Sequence, residues 1–272
     1  EWIWNTNPYM TSDNEAAIGL YRADGTAKPE LEPLVSMANF FASNRHLMKG
    51  RQDEEVVMVI PHSQQFSTRN FTSEATKNSV RVMHYHCNTR MTAVSEYHLD
   101  LFKGIPKLIV LPAARVLHQE AWEAIMKLVD QGSTLAVSGA VDADEHWLPI
   151  ARMKEFGFET TSRAVAQEEF LSIAGNEYRL SYRGDKIQRI EKAVVEMSGH
   201  PTVMTFPRGT GKIIWSPLPL ESSDVIEPIA VFYRYALGQA GVSPAYRVEK
   251  QNPSILILPT IFEDAVLYAF VS

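Results

Sequence analysis

The chain has 272 residues, enough for one large domain or two smaller ones. Its 45% hydrophobic and 21% charged residues are ordinary for a globular protein and argue against disorder. The net charge of −6 argues against nucleic acid as a partner, and no apolar run approaches the roughly 20 residues of a membrane helix, which argues against a membrane-embedded role. The single cysteine, Cys87, precludes an internal disulfide and leaves secreted, periplasmic and cytoplasmic locations all open. The triplet Asn70-Phe71-Thr72 is a glycosylation sequon of a kind common by chance.

The first residues, Glu1-Trp2-Ile3-Trp4, have the aromatic and β-branched content of a strand. A polar loop follows, then a turn at Ala23-Asp24-Gly25-Thr26 and a helix over 28–47, with Pro29 in its first turn and Leu31, Leu34, Val35, Ala38 and Phe41 near the helical period. A lone βα unit cannot bury its own apolar face, so the chain is expected to be part of a larger protein. The polar run from Lys49 to Glu55 marks a first domain boundary.

Beyond it, Val56–Ile60 is a short apolar run closed by Pro61, the signature of a strand buried on both faces. A helix is predicted over 73–86, a second buried strand over 108–111, a helix over 118–131 with Gly132 at its C-terminal end, and a third buried strand over 134–137. This alternation predicts a parallel sheet covered by helices. Residues 163–198 alternate around Gly175-Asn176 and Gly184-Asp185, which reads as antiparallel hairpins. Val203–Phe206 and Ile213–Pro217 form a further pair, turned by Arg208-Gly209-Thr210-Gly211. Asp224 and Glu227 have capping-box spacing ahead of a helix over 225–240. Ser254–Pro259 and Ala265–Val271 read as a last hairpin.

Two stretches resemble known proteins. Trp2–Glu32, with its NPYM loop, resembles the last strand and helix of the (β/α)8 barrel of retaining glycoside hydrolases of the β-galactosidase and cellulase kind. Residues 54–241 resemble the trimerisation domain of family-42-type β-galactosidases, through VVMVIP, KLIVLPAARVLHQEAWEAIMKLVDQGSTLAVSGAVD and GTGKIIWSPLPLE. That domain is flavodoxin-like and related to class I glutamine amidotransferases. The resemblance implies an α/β chain in three parts: a terminal barrel unit over 1–49, a flavodoxin-like trimerisation-type domain over 50–243 with an added antiparallel β-region, and a β segment over 244–272. It implies a catalytic barrel of the same polypeptide as partner, a homo-oligomer, and carbohydrate as ligand of the intact parent. No cofactor is implied.

In such barrels a tryptophan of the last strand stacks on the sugar, which implies substrate-binding roles for Trp4 and Asn5 in the intact parent. Trp2 points the same way along the strand, so either indole could meet the sugar. Retaining glycosidases need two carboxylates roughly 5–5.5 Å apart; the family carries them on strands four and seven, and neither strand matches any part of this chain. No hydrolysis by the chain alone is therefore expected, and no catalytic residue is assigned.

Other candidates are weaker. Cys87 lies far from the turn Ser138-Gly139-Ala140, where the amidotransferases carry their cysteine, and reads as a buried thiol. Ser138 lacks the flanking glycines of a nucleophile elbow, having Ala136 and Ala140 instead. His84 and His86, two apart on one helix, face away from each other and do not define a metal site. Gly209-Thr210-Gly211-Lys212 lacks P-loop spacing and reads as a hairpin turn. Asp142, Asp144, Glu145 and His146 follow a buried strand, where open α/β sheets bind ligands; the alternative is a helix N-terminus with acidic residues complementing the dipole. Trp147 and Tyr182 are candidate exposed aromatics for an oligomer interface. Two further functions stay open: a carbohydrate-recognition module lined by the tyrosines and phenylalanines of 158–182, and an α/β domain with its own hydrolase or amidotransferase activity, against which the absent elbow cysteine argues.

Overall fold

The computed structural model describes residues 19–22, 24–66, 72–158, 161–184, 194–196, 202–250, 252 and 254–272. The chain divides into two compact units, Glu1–Gln52 with Phe262–Ala265, and Asp53–Ile261 with Val266–Ser272. In the first unit, a turn held by Asp24, whose Oδ1 accepts the Thr26 amide at 2.9 Å, leads to α1 (Leu31–Asn44) and a 3-10 turn (Arg45–Met48). None of the residues of α1 is buried.

The second unit is built on a six-stranded sheet. Its strands are β1 (Val56–Ile60), β2 (Thr92–Ser95), β3 (Leu108–Leu111), β4 (Thr134–Ser138), β9 (Met204–Arg208) and β10 (Gly211–Ser216). The order across the sheet is β2-β1-β3-β4-β10-β9. All neighbours are parallel except β9, which runs antiparallel to β10 at one edge. The five parallel strands thus follow the 2-1-3-4-5 order of a doubly wound sheet. Three small antiparallel pairs lie outside it: β5 (Thr161–Arg163) with β8 (Val194–Glu196), β6 (Glu168–Ile173) with β7 (Asn176–Ser181), and β11 (Leu256–Ile261) with β12 (Val266–Val271). The fold is therefore α/β with a mainly parallel sheet and added antiparallel pairs.

Alternation along each strand sorts the core into two layers. Val56, Met58, Leu108, Val110, Ala136 and Ile214 face one side, against α2 (Thr72–Tyr85) and α4 (Glu227–Gln239). Val59, Ile109, Leu111, Leu135, Val137, Ile213 and Trp215 face the other, against α3 (Gln119–Asp130). Two covered faces explain why these strands read as continuous apolar runs.

The helix predicted over 118–131 spans Gln119–Asp130, and Gly132 follows its end with φ +123°. The predicted capping box is not formed. The residue before α4 is Ile226, without a side-chain cap. Asp224 instead donates its amide to the Ser181 carbonyl at 2.8 Å, and its carboxylate pairs with Arg183 at 3.3 Å. The start of α4 relies on Pro228 in its first turn. No helix among the described residues is long and apolar enough to cross a membrane.

Candidate functional site

In a doubly wound sheet, ligands enter the crevice beyond the carboxyl ends of the strands. Here that edge is filled by the chain's own polar side chains. Gln64, after β1, accepts the amides of Arg115 at 2.6 Å and Val116 at 3.1 Å and donates to the Ala113 carbonyl at 3.1 Å. Glu96, after β2, accepts the amide of Ser63 and that of His118 at 2.6 Å, tying the loop after β1 to the start of α3. Both side chains are buried.

Glu221, after β10, is the most enclosed carboxylate among the described residues and only 1% exposed. Its Oε2 accepts the Ala113 amide at 3.0 Å and the Ser138 hydroxyl, and its Oε1 accepts the Tyr233 hydroxyl at 2.7 Å. The Tyr233 oxygen also lies 2.7 Å from the Ser79 hydroxyl, and Asn78 donates to the Glu221 carbonyl at 2.8 Å. Burial pushes the Glu221 carboxyl above its ordinary range, a shift that the hydrogen bonds from Ser138 and Tyr233 offset only in part.

Two strand-to-loop turns at this edge hold non-glycine residues in left-handed conformations, Ala113 with φ +41° and Val141 with φ +47°. A β-branched residue at positive φ is a marked exception to backbone preference. Such turns can present a nucleophile, but both residues are buried and apolar. Gly139 has no room for a side chain, since a Cβ there would lie 2.5 Å from the Ala114 carbonyl oxygen. Ser138 is fully buried and spends its hydroxyl on Glu221.

The acidic loop after β4 is likewise engaged in its own architecture. Asp142 pairs with Arg115 at 3.2 Å. Asp144 accepts the amides of His146 and Leu148, both at 2.9 Å, closing the turn. Glu145 accepts the Gln119 amide at 3.1 Å, so it complements the N-terminus of α3 rather than a helix of its own. Its own amide and that of Gln119 hold its carboxyl below the usual range. His118 and His146 approach Glu145 Oε1 at 3.7 and 3.8 Å. Arg152, buried beneath, donates to the carbonyls of Ala143 and Leu117, each at 2.7 Å.

Trp4 and Asn5 lie outside the described residues, as do Asn70 and Phe71 of the sequon. Tyr182 is not an exposed aromatic: it lies in the core beside Leu180, with its hydroxyl on the Pro219 carbonyl at 3.4 Å. Trp147 is half-buried, with the Arg115 guanidinium 5.6 Å from its ring centre. The aromatics of 158–182 do not form one groove, because Phe158 packs on Trp215 in one core layer while Tyr178 and Tyr182 belong to the other. Cys87 is buried, and burial pushes its thiol up to about 12. Gly209 and Thr210 turn the β9–β10 hairpin, with the Thr210 amide on the Asp130 carbonyl at 3.1 Å. Among the described residues, no three His, Cys, Asp or Glu side chains converge as metal ligands.

No family model matches the chain, and no curated protein matches it. Solved structures do. The fold resembles that of GH42 β-galactosidases. A catalytic mutant of Gan42B from G. stearothermophilus aligns over 92% of this chain and 39% of its own, with 14% identity and a TM-score of 0.60. The β-galactosidase from Bacillus circulans sp. alkalophilus aligns over 92% and 40%, with 10% identity and a TM-score of 0.63. That from Rahnella sp. R3 aligns over 89% and 39%, with 10% identity and a TM-score of 0.58. The likeness is one of fold, and the chain spans about two-fifths of the length of these β-galactosidases.

Proposed function

We propose that the chain is a non-catalytic accessory and self-association region of a glycoside hydrolase acting on β-linked carbohydrate. In this reading, residues 1–49 are a terminal βα unit of a barrel, 50–243 a flavodoxin-like trimerisation-type domain and 244–272 a β segment. A barrel carried by the same polypeptide performs hydrolysis, with Trp4 and Asn5 contributing to its sugar site. The fold likeness over 92% of the chain supports the hydrolase connection. The observation that carries the non-catalytic part is the closed crevice: Gln64, Glu96 and Glu221 are buried at the ligand-binding edge and bonded to backbone amides.

The alternative of an independent hydrolase or amidotransferase is disfavoured by the same geometry, since the left-handed turns carry Ala113 and Val141. Two measurements test the proposal. Pure chain should leave chromogenic β-galactosides intact, and turnover abolished by no contaminant control would overturn the reading. Light scattering across a dilution series should detect an oligomer; a strict monomer at every concentration would remove the self-association role.

A further inference from the structure

A row of rings crosses the surface of the second unit on the loops that close the crevice. The His62 ring meets Phe66 at 5.3 Å and Tyr97 at 5.6 Å, and Tyr97 meets His118 at 5.6 Å, all steeply inclined to one another. His118 Nε2 in turn lies 3.7 Å from Glu145 Oε1. Four rings and a carboxylate therefore run from the loop after β1, past the turn after β2, to the start of α3. Phe66 is 74% exposed and Tyr97 45%, too open for core residues of their size.

The row is fixed from beneath. The Tyr97 and Ser63 hydroxyls lie 2.8 Å apart. Buried Glu96 accepts the backbone amides of both Ser63 and His118. Rings held this way lose little freedom on binding a ligand, which lowers the cost of association.

We propose that this row is a binding surface for a neutral carbohydrate chain. The exposed rings of Tyr97 and Phe66 stack on the apolar C–H face of a sugar ring, while His118 and Glu145 hydrogen-bond its hydroxyls. A sugar alternates apolar faces with hydroxyl rims, and the row alternates rings with polar groups in the same way. Glu145, held ionised by two backbone amides, accepts hydrogen bonds from hydroxyls and repels anionic ligands. Phe66 and Tyr97 both lie open to solvent, which suits a chain laid along the row rather than a small apolar molecule, which requires an enclosed pocket. This inference does not depend on the accessory role proposed above.

Calorimetric titration of the 272-residue chain with cellotetraose and with β-1,4-galactotetraose tests it. Binding of at least one probe at millimolar level or tighter is expected. Tyr97→Ala should weaken it by about tenfold or more, Glu145→Gln severalfold, and Tyr97→Phe, which keeps the ring, much less than Tyr97→Ala. Thermal melts establish that each variant is folded; should Tyr97→Ala unfold the chain, Phe66→Ala at the most exposed ring gives the same reading. No heat with either probe at about 10 mM, or equal affinity in wild type and the folded ring variants, overturns the proposal. So does self-association that these variants abolish in a chain that binds neither sugar, which would make the row a protein interface.

Discussion

The Tyr233 hydroxyl donates to the Glu221 carboxylate at 2.7 Å, joining α4 to the loop that closes the carboxyl edge of the sheet. The other oxygen of the same carboxylate takes the Ala113 amide and the Ser138 hydroxyl. One side chain thus joins the ends of three strands to a helix. Glu221→Ala would leave the buried Ser138 hydroxyl without its acceptor, and the Ala113 amide and Tyr233 hydroxyl with only Ser138 and Ser79, 2.8 and 2.7 Å away, at a cost of about 2 kcal/mol. Urea unfolding measures it, and a loss under about 1 kcal/mol would show that the network does not hold the edge together.

The same carboxyl predicts a pH dependence. Its folded-state pKa is raised by burial. Its contribution to stability is therefore complete below the unfolded value of about 4.3 and is lost as pH rises through the folded value. Glu221→Gln removes this titration. The stability difference, wild type minus Glu221→Gln, should fall as pH rises above about 4.3 and level off once the folded carboxyl has ionised. A difference that grows with pH would contradict the assignment.

Gly211, at the start of β10, has no space for a methyl group: a Cβ would lie 2.1 Å from the Ser133 carbonyl oxygen and 2.3 Å from that of Val129. Both neighbours are backbone, and neither can swing aside. Gly211→Ala should cost about 3 kcal/mol, read as a lowered denaturation midpoint with unchanged slope. A neutral substitution would mean that β10 shifts in register or depth.

The legible and illegible parts of this fold have different physical origins. Val56–Ile60, Leu108–Leu111 and Thr134–Val137 announce themselves because burial on both faces leaves continuous apolar runs. β2 carries no such mark; it is a short, half-exposed edge strand held through its backbone pairing with β1. Glu221 is invisible in the same sense, since its partners Ser138 and Ala113 are 83 and 108 residues away. The only local hint is an acid closing the apolar stretch WSPLPL. Tyr182 illustrates the converse, a polar-tipped ring just past the end of β7 that packs inward in the same core layer as Leu180. The acidic loop was visible as a loop, but its allegiance to the N-terminus of α3 follows from tertiary packing alone.

Arg152 anchors that loop by a fork: its two terminal nitrogens reach the Ala143 and Leu117 carbonyls, each at 2.7 Å, and its guanidinium lies 5.6 Å from the Trp122 ring centre. Lysine keeps the charge but has a single head and no flat face. Arg152→Lys should therefore cost about 2 kcal/mol and increase amide exchange in the loop 142–150. Protection equal to wild type would show that the loop is held by the backbone bridges of Ala143 to Val116 and Pro149 alone.

Helix α1 poses the opposite problem, an apolar surface without burial. Phe40 and Phe41 are each 63% exposed, and Leu34, Val35 and Met37 are exposed as well. An exposed apolar patch of this kind marks an interaction surface or an aggregation liability. Replacing both rings, Phe40→Ser with Phe41→Ser, removes apolar area that the chain's own fold does not use. Its unfolding free energy should change by no more than about 0.5 kcal/mol, while its tendency to aggregate falls. In the proposed hydrolase the same double substitution should behave differently, because there α1 would close against a barrel. It should destabilise that protein by about 3 kcal/mol or more, as large-to-small changes in a core do. Equal small effects in both proteins would mean that α1 stays uncovered in each, and would remove the barrel assignment for residues 1–49.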